Sequence, residues 1–202
     1  MKTLKVKVTT TEEILGTASS NKEIHEEFIA SKAPDAPSME EEVAAVGVEE
    51  VFDKAMTVFP RDAEGNPIVW DYQWKGFFKD ACGMLRKVEK SECSKIKAYK
   101  KEIDGLIFIA PRQIPIQFDG EMGICQRPLR AQTAQGERVA LASSESIPAG
   151  ATMEFEIQMM VPKAHEKAII EMLNYGKMRG FGQWRNSGKG RFVYEILEET
   201  EE

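Results

Sequence analysis

Residues 152–196 read TMEFEIQMMVPKAHEKAIIEMLNYGKMRGFGQWRNSGKGRFVYEI, and this stretch decides the predicted fold. Apolar and polar residues alternate over residues 152–159, which predicts a strand with one buried face. Pro162 suits the first turn of a helix, and the apolar spacing after it continues to Gly176, a residue type that commonly follows a helix. A glycine-rich segment comes next, and residues 191–196 predict a closing strand. The stretch therefore predicts a strand, a helix, a loop and a second strand.

Four segments upstream complete the predicted fold. Residues 4–10 alternate as a half-buried strand does, whereas residues 71–88 have the spacing of an amphipathic helix. The apolar face of that helix is predicted to hold Trp74, Phe77, Phe78, Ala81, Leu85 and Val88. Residues 105–110 predict a buried strand, and Pro115 restricts residues 113–118 to an edge strand. This order predicts an α+β fold with a ferredoxin-like (RRM-like) βαββαβ core.

We predict a single domain whose core is interrupted by a helical insertion after the first strand and by a β-arm or long loop in the middle. Residues 22–30 have the apolar spacing of a short helix, and Ser38 begins a capping-box pattern that would start a second helix. The predicted segments are a core (1–10, 62–118 and 147–197), an acidic helical insertion (11–61), a basic arm (119–146) and an acidic tail (198–202).

The composition limits the classes of function. Among 202 residues there are three widely spaced cysteines, which do not suggest a disulfide framework or a zinc site. No run is apolar enough to span a bilayer, and the N-terminus lacks a signal core, so we expect a cytoplasmic protein with no membrane partner. The net charge is −6, yet the acidic residues concentrate at both ends, and residues 61–194 hold 21 cations against 16 acids. A basic middle segment is compatible with a nucleic-acid partner.

The glycine-rich segment at residues 176–191 combines five glycines with five cations and two aromatic residues. Glycine lets backbone N–H groups approach an anion, cations neutralise phosphates, and Phe181 or Trp184 offers a flat surface for a base. This mixture fits single-stranded RNA. An ordinary glycine hairpin with surface cations has the same composition, so both interpretations stay open.

The helix predicted at residues 71–88 adds a second group of cations. Lys75, Lys79, Arg86 and Lys90 superpose on one stripe, roughly 130° from the apolar face at about 100° per residue. A solvated charged stripe would look the same, but we expect it to converge with the glycine-rich segment in a single positive groove. The predicted RNA-binding residues are Lys75, Lys79, Arg127, Arg130, Arg179, Trp184, Arg185, Lys189 and Arg191.

Three segments resemble motifs of the RAMP superfamily, the repeat-associated proteins of CRISPR systems. Residues 62–81 are similar to the family's D-x-x-G-x-P-x-I-P-G-S-S-L-K-G-x-L-R pattern, with Lys75-Gly76 at its Lys-Gly. Residues 147–157 are similar to its P-A-G-T-x-F-x-F strand entry, and the glycine-rich segment is similar to its C-terminal G-G-x-x-S-x-G-x-G-R loop.

The resemblance implies a ferredoxin-like RNA-binding domain that associates with itself along a strand or with subunits of a CRISPR-type effector. A free-standing protein of phage or mobile-element origin that interferes with such an antiviral defence complex would have the same motifs. Our leading hypothesis is a non-catalytic protein that binds single-stranded RNA. The alternative is a protein-interaction or inhibitor protein whose acidic residues 35–53 dock on a basic partner in a nucleoprotein complex.

The signals for catalysis are weak. Processing ribonucleases of the superfamily often use a histidine, so a metal-independent endoribonuclease using His25 is a third hypothesis, although the acidic neighbours of His25 suit a phosphodiester poorly. His165 is expected to be structural or solvent-facing. Asp35, Asp53 and Asp62 lack the paired-carboxylate spacing of a metal site. We therefore expect no cofactor and no metal, and favour a protein that is not an enzyme.

Overall fold

The computed structural model describes residues 1–20, 56–133 and 136–201, without the side chains of residues 129–140. Within these ranges the helices are α1 (Asp71–Leu85), α2 (Tyr99–Leu106) and α3 (Pro162–Arg179), and two 3-10 turns cover Glu92–Lys95 and Arg185–Ser187. The strands are β1 (Lys2–Thr10), β2 (Ile14–Leu15), β3 (Ala18–Ser19), β4 (Thr57–Val58), β5 (Ile68–Trp70), β6 (Ile107–Ala110), β7 (Gln113–Pro115), β8 (Gly123–Thr133), β9 (Gly136–Ile147), β10 (Thr152–Met159) and β11 (Phe192–Glu201). The helices predicted at 22–30 and from Ser38 lie outside the described residues. None of the described helices is long and apolar enough to cross a membrane.

The main sheet has four strands in the order β11-β1-β10-β6, and all neighbouring strands are antiparallel. Helices α1 and α3 pack against each other, and α3 also packs against β10 and β11. In chain order, β1, α1, β6, β10, α3 and β11 follow the β-α-β-β-α-β plan. The predicted α+β, ferredoxin-like fold class is therefore confirmed.

The core lies between the main sheet and the two long helices. Alternate residues of β1 and β10 are buried, as the period-two pattern predicted. Trp74 of α1 is at the centre of an aromatic cluster, with its ring centroid 4.4 Å from that of Phe181 and 4.5 Å from that of Phe155. Full burial of a large apolar side chain contributes about 1.5–3 kcal/mol. This cluster therefore fixes α1 on the sheet.

A second, five-stranded sheet contains the long hairpin of β8 and β9. Strand β9 also pairs with β2 and, in parallel, with β4, which in turn pairs with β3. The hydroxyls of Thr57 and Ser144 lie 2.7 Å apart across the β4–β9 pair. Most residues of the predicted basic arm therefore lie in paired strands, close to the segment that follows α3.

Two predicted boundaries in the middle of the chain are wrong. Helix α1 ends at Leu85, three residues before the predicted end, and Val88 is exposed. Residues 105 and 106 belong to α2, because that helix continues past the buried Ile103 to the start of β6. The apolar run after Gly105 has no residue that separates helix from strand, so the sequence could not place this junction.

The late helix is also longer than predicted. Helix α3 continues through Gly176 to Arg179, and Gly180 follows it with φ 75°. Glycine at 176 has a different cause, because a Cβ there would lie 2.0 Å from Cζ of Phe192. Close packing of the helix on β11, and not helix termination, accounts for this glycine.

The last strand extends through most of the predicted acidic tail. Strand β11 continues to Glu201, and its final residues pair with the start of β1. The ammonium of Lys2 lies 2.9 Å from the carboxylate of Glu199 and 2.5 Å from that of Glu166. Pairing with β1, together with the ion pair of Glu199 with Lys2, orders glutamates that the sequence placed outside the fold.

Candidate nucleic-acid interface

The segment after α3 folds back on itself through positive backbone angles. Gly190 has φ 68°, a conformation that residues with a Cβ rarely adopt. The N–H of Phe181 donates to the carbonyl of Gly190 at 2.8 Å, and a Cβ at Gly190 would lie 1.9 Å from the carbonyl oxygen of Phe181. Only glycine fits this approach. Residues 180–191, called here the glycine loop, are therefore closed at their base.

Phe181 anchors the glycine loop to the core. Its side chain is only 5% exposed, and its ring stacks on that of Trp74 with an interplanar angle of 21°. The suggestion that Phe181 stacks on a base is therefore wrong, because the buried ring packs on Trp74 and does not present an exposed flat face. Trp184 is 39% exposed and is the aromatic residue of the loop that faces solvent.

Two cations lie close to the ring of Trp184. The guanidinium carbon of Arg127, from β8, lies 5.3 Å from the ring centroid, and the ammonium of Lys189 lies 5.9 Å from it. Arg127 also donates to Oε1 of Gln183 at 2.8 Å, which joins the hairpin to the glycine loop. We call Arg127, Trp184 and Lys189 the Trp184 cluster. Arg130 lies further along β8, and its side chain is outside the described part of the chain.

Two arginines bind the same carboxylate on α1. Nε of Arg179 lies 3.1 Å from Oδ2 of Asp80, and Nη1 of Arg185 lies 2.8 Å from the same oxygen. Arg179 also donates to Oδ1 of Asn186 at 3.0 Å. The carboxylate of Asp80 thus binds Arg179, which precedes the glycine loop, and Arg185, which lies within it. Because two guanidinium groups share one carboxylate, one positive charge is not neutralised.

The remaining cations of the interface differ in their partners. Lys189 pairs with Glu13, and this hydrogen bond raises the pKa of the lysine above its ordinary value, so the ammonium stays charged. Arg191 donates from Nε to the carbonyl of Met178 at 3.2 Å. Neither Arg191 nor Arg127 has a carboxylate partner among the described residues. Together with Arg179 and Arg185, which share Asp80, these make five cations against two carboxylates.

The lysines of α1 lie on a different flank of the helix. Nζ of Lys79 lies 2.8 Å from the carboxylate of Asp104, and Nζ of Lys75 donates to the carbonyl of the same residue at 3.2 Å. Around the helix axis, Asp80 is roughly 100° from Lys79 and roughly 140° from Lys75. The prediction that these lysines and the glycine loop line one groove is therefore wrong. The lysines face α2 and β6, whereas the glycine loop packs on the Asp80 flank.

A pocket of about 210 Å³ opens between α1 and the glycine loop. Gly76 forms part of its wall, and a Cβ there would have open space around it. Gln73 is held in place because its Nε2 donates to Thr17 at 2.5 Å and its Oε1 accepts from the N–H of Trp70 at 2.8 Å. The other lining residues are Phe77, Phe181, Gly182 and Arg185. The Lys75-Gly76 pair therefore presents its glycine, not its lysine, to the loop.

The face of the main sheet that points away from the helices is polar and largely acidic. Glu154 on this face lies 3.6 Å from the ammonium of Lys7. A shallow cavity of about 250 Å³ on the same face is lined in part by Lys5, Glu156, Gln158 and Glu198. RNA-recognition motifs bind RNA on this face through aromatic side chains. The exposed ring on this face is that of Phe108, at the edge strand β6, and the central strands present Glu154, Glu156 and Lys5 instead.

The candidate catalytic residues that the structure describes have structural partners. His165 is 1% exposed, and its Nε2 lies 3.1 Å from a carboxylate oxygen of Glu102. Asp62 accepts the N–H groups of Glu64 and Asn66 and so caps a turn. Among the described residues, no group of three or more His, Cys, Asp or Glu side chains could hold a metal ion. Three candidates lie outside the described residues, namely His25, Asp35 and Asp53.

Sequence reasoning missed the residues that hold the interface together. Asp80 and Glu13 are the carboxylate partners of the loop cations, and Gln183 is the partner of Arg127. Asp80 is 99 residues from Arg179, and Glu13 is 176 residues from Lys189. No local spacing pattern signals contacts over such separations.

The sequence matches no protein-family model and no curated protein sequence. Solved structures do match. Type III-B Cmr-beta bound to cognate target RNA, determined by cryo-EM, contains a chain that superposes with a TM-score of 0.54 and 12% identity over 98% of this chain. The crystal structure of Cmr6 from Pyrococcus furiosus has a TM-score of 0.48 and 11% identity, covering 96% of this chain and 99% of that one.

At 12% identity, what this chain shares with the Cmr-beta chain is the fold. This chain spans 60% of the length of that chain. The class that this defines is a ferredoxin-like α+β domain. The structural likeness agrees with the resemblance of the three sequence motifs to the RAMP superfamily.

Proposed function

We propose that this protein binds single-stranded RNA without cleaving it, through the Trp184 cluster and the arginines of the glycine loop. The observation that supports this most is a partly exposed tryptophan ring with two cations 5.3 Å and 5.9 Å from its centroid, where a hairpin meets the loop. Phosphates require cations and unpaired bases require a flat apolar surface, and this junction offers both. The likeness in fold to a chain of Cmr-beta, whose structure contains target RNA, supports the same assignment.

The partners of each cation give the residues different roles. Trp184 stacks on a base, and Arg127 and Arg191 bind phosphates, because no carboxylate among the described residues neutralises them. Arg179 and Arg185 share one carboxylate, so they shape the loop and together add one positive charge. Lys189, neutralised by Glu13, supports the ring. Arg130 remains a predicted phosphate ligand from the same hairpin.

We propose that the protein works with a CRISPR-type effector, either as one of its subunits or as a protein that acts on it. An RNA longer than one binding site would hold several copies of the protein. Sedimentation of the protein with RNAs of increasing length measures this: the complex grows in steps if copies assemble along the strand, and stays at one copy if they do not.

The test of RNA binding is the affinity for a labelled oligouridylate, measured by fluorescence anisotropy over a range of salt concentrations. Five cations against two carboxylates leave about three uncompensated charges, so log Kobs should fall with log salt with a slope of about −2. Trp184→Ala should weaken binding about tenfold, because stacking of one base is worth about 1–3 kcal/mol. Absence of binding, or an affinity that does not respond to salt, would refute the proposal.

A second candidate function is docking on a basic protein partner, as an inhibitor of a nucleoprotein complex would do. The acidic open face of the sheet favours it, since that face presents Glu154, Glu156 and Glu198. The acidic residues 35–53 lie outside the described residues. Purification separates the two candidates: a high ratio of absorbance at 260 to 280 nm indicates bound RNA, and a protein-only spectrum favours the partner.

A further inference from the structure

A second surface with aromatic and cationic side chains lies on the flank of α1 that faces β6. Tyr72 at the start of the helix is 51% exposed, and Phe108 on the edge strand β6 is 41% exposed. Nζ of Lys75 lies 4.7 Å from the ring centroid of Phe108, so this lysine bridges the helix and the sheet edge. None of these contacts involves the glycine loop.

Trp70 and Arg112 extend this surface beyond the start of α1. The rings of Trp70 and Tyr72 are nearly parallel, at 12°, with centroids 6.3 Å apart. The guanidinium carbon of Arg112 lies 5.9 Å from the ring centroid of Trp70. The N–H of Asp71 donates to the carbonyl of Arg112 at 3.0 Å, which fixes the arginine beside the first turn of the helix.

These residues form one continuous strip. Tyr72, Lys75 and Lys79 lie within about 60° of one another around the helix, since residues three and four apart are neighbours on its surface. Lys75 joins this flank to Phe108 at the sheet edge, and Tyr72 joins it to Trp70 and Arg112. Three rings and three cations therefore follow one another along this side, and Asp71 and Asp104 are the carboxylates beside them. We call Trp70, Tyr72, Lys75, Lys79, Phe108 and Arg112 the aromatic strip.

The packing of the core does not require this strip to be aromatic. The buried cluster around Trp74 already fills the space between helix and sheet, whereas Tyr72 and Phe108 leave much of their surface in water. Exposed apolar groups that cluster with polar ones commonly mark a binding surface. Alternation of rings with cations is the pattern with which proteins hold single strands, because bases stack on the rings and phosphates meet the cations.

We infer that the aromatic strip binds unpaired nucleotides, as a second contact for the strand that the glycine loop holds. This inference rests on the proposed function, and it adds Trp70, Tyr72, Phe108 and Arg112 to the residues that touch RNA. The occupant is a nucleic acid rather than a proline-rich peptide, because recognition of such peptides uses aromatic grooves without needing interleaved cations. Two contacts on separate flanks of α1 make the bound strand cross the helix.

The test compares Tyr72→Ala/Phe108→Ala with the control Met84→Ala/Val88→Ala, which removes two exposed apolar side chains away from the strip. Binding of an oligouridylate of about 20 nucleotides, long enough to span several site lengths, is measured by anisotropy. We expect the strip variant to bind about tenfold more weakly with an unchanged salt slope, because no charge is removed. Lys75→Ala/Arg112→Ala should instead flatten the slope by about 0.7 for each cation. The control should bind like the wild type.

The possible failures can be told apart. If the wild type binds no RNA, the proposed function and the strip are both refuted. If Trp184→Ala weakens binding while Tyr72→Ala/Phe108→Ala binds like the wild type, the strip alone is refuted.

Tryptophan fluorescence tests binding at the aromatic strip without a substitution in any of its residues. In Trp184→Phe the emission comes from Trp70 and the buried Trp74, so stacking of a base on Trp70 should quench part of it. Quenching by oligouridylate supports the strip. No quenching by oligouridylate at saturation, or quenching by a proline-rich peptide alone, overturns it.

Discussion

Gly176 of α3 and Phe192 of β11 are in direct contact: a Cβ built on the glycine would lie 2.0 Å from Cζ of the phenylalanine ring. Both residues are buried. The ring of Phe192 also lies 5.5 Å from that of Trp74 and 5.4 Å from that of Phe77, in edge-on arrangements. The two elements that flank the glycine loop therefore meet at its base, and the loop leaves the core from a fixed point.

Gly176→Ala should lower the free energy of unfolding by about 1–3 kcal/mol, because an added methyl group overpacks a ring that its neighbours hold in place. Urea denaturation measures this change. Gly105→Ala is the matched control, since it lies in α2 with open space around the position of its Cβ. Alanine there should leave stability unchanged or raise it by up to about 1 kcal/mol. A Gly176→Ala protein as stable as the wild type would show that Phe192 can move aside.

Arg127→Ala should weaken RNA binding and flatten its salt slope by about 0.7, because this guanidinium lies beside Trp184 without a carboxylate partner among the described residues. Anisotropy titrations at several salt concentrations give both quantities. Lys87→Ala, which removes an exposed cation just after α1, is the control and should change neither. Equal effects of the two substitutions would mean that overall charge, and not this position, determines the affinity.

Asp80→Asn should tighten RNA binding and steepen the salt slope by about 0.7, because the loop arginines lose the one carboxylate that they share. Stability should fall by no more than about 1 kcal/mol, as expected for partly exposed ion pairs. Titration and thermal melting measure the two effects. Glu92→Gln, which breaks the exposed pair with Lys95, is the control and should leave RNA binding unchanged. Weaker binding by Asp80→Asn would mean that the shape of the loop matters more than its charge.

The three thiols should differ in reactivity. Cys82 and Cys93 are buried and hydrogen-bonded to each other; this contact and then burial raise the pKa of Cys93 above its ordinary value. Cys125 is only partly buried. A thiol reagent at neutral pH should therefore label Cys125 quickly in the native protein and all three after denaturation. Rapid labelling of Cys93 in the native protein would contradict its burial.

Much of the fold could be predicted because it depends on local periodicity. The period-two pattern of β10 and the apolar face of α1 follow from their own residues, and the structure has both. Gly176 shows the limit of prediction from local periodicity. Glycine is common after a helix, but at this position the ring of Phe192 in β11 requires it. A glycine required by close packing with a distant residue cannot be distinguished, in the sequence alone, from a glycine that ends a helix.

The site was harder to predict than the fold. The spacing of Lys75 and Lys79 correctly gave one stripe on α1, but the sequence did not tell which neighbour that stripe faces. In the structure it faces Asp104, whereas the glycine loop packs on the side of Asp80. Phe181 and Trp184 were equal candidates for stacking, and only tertiary packing buries the first and exposes the second.

The most direct test of the account is to locate where RNA touches the protein. Oligouridylate is crosslinked to the full chain by ultraviolet light, the complex is digested with trypsin, and the peptide that holds the nucleotide is identified by mass spectrometry. We predict a nucleotide on residues 180–185, the peptide that contains Trp184, and loss of this crosslink in Trp184→Ala. Crosslinks confined to the open face of the main sheet, on peptides from β1, β10 or β11, would contradict the account.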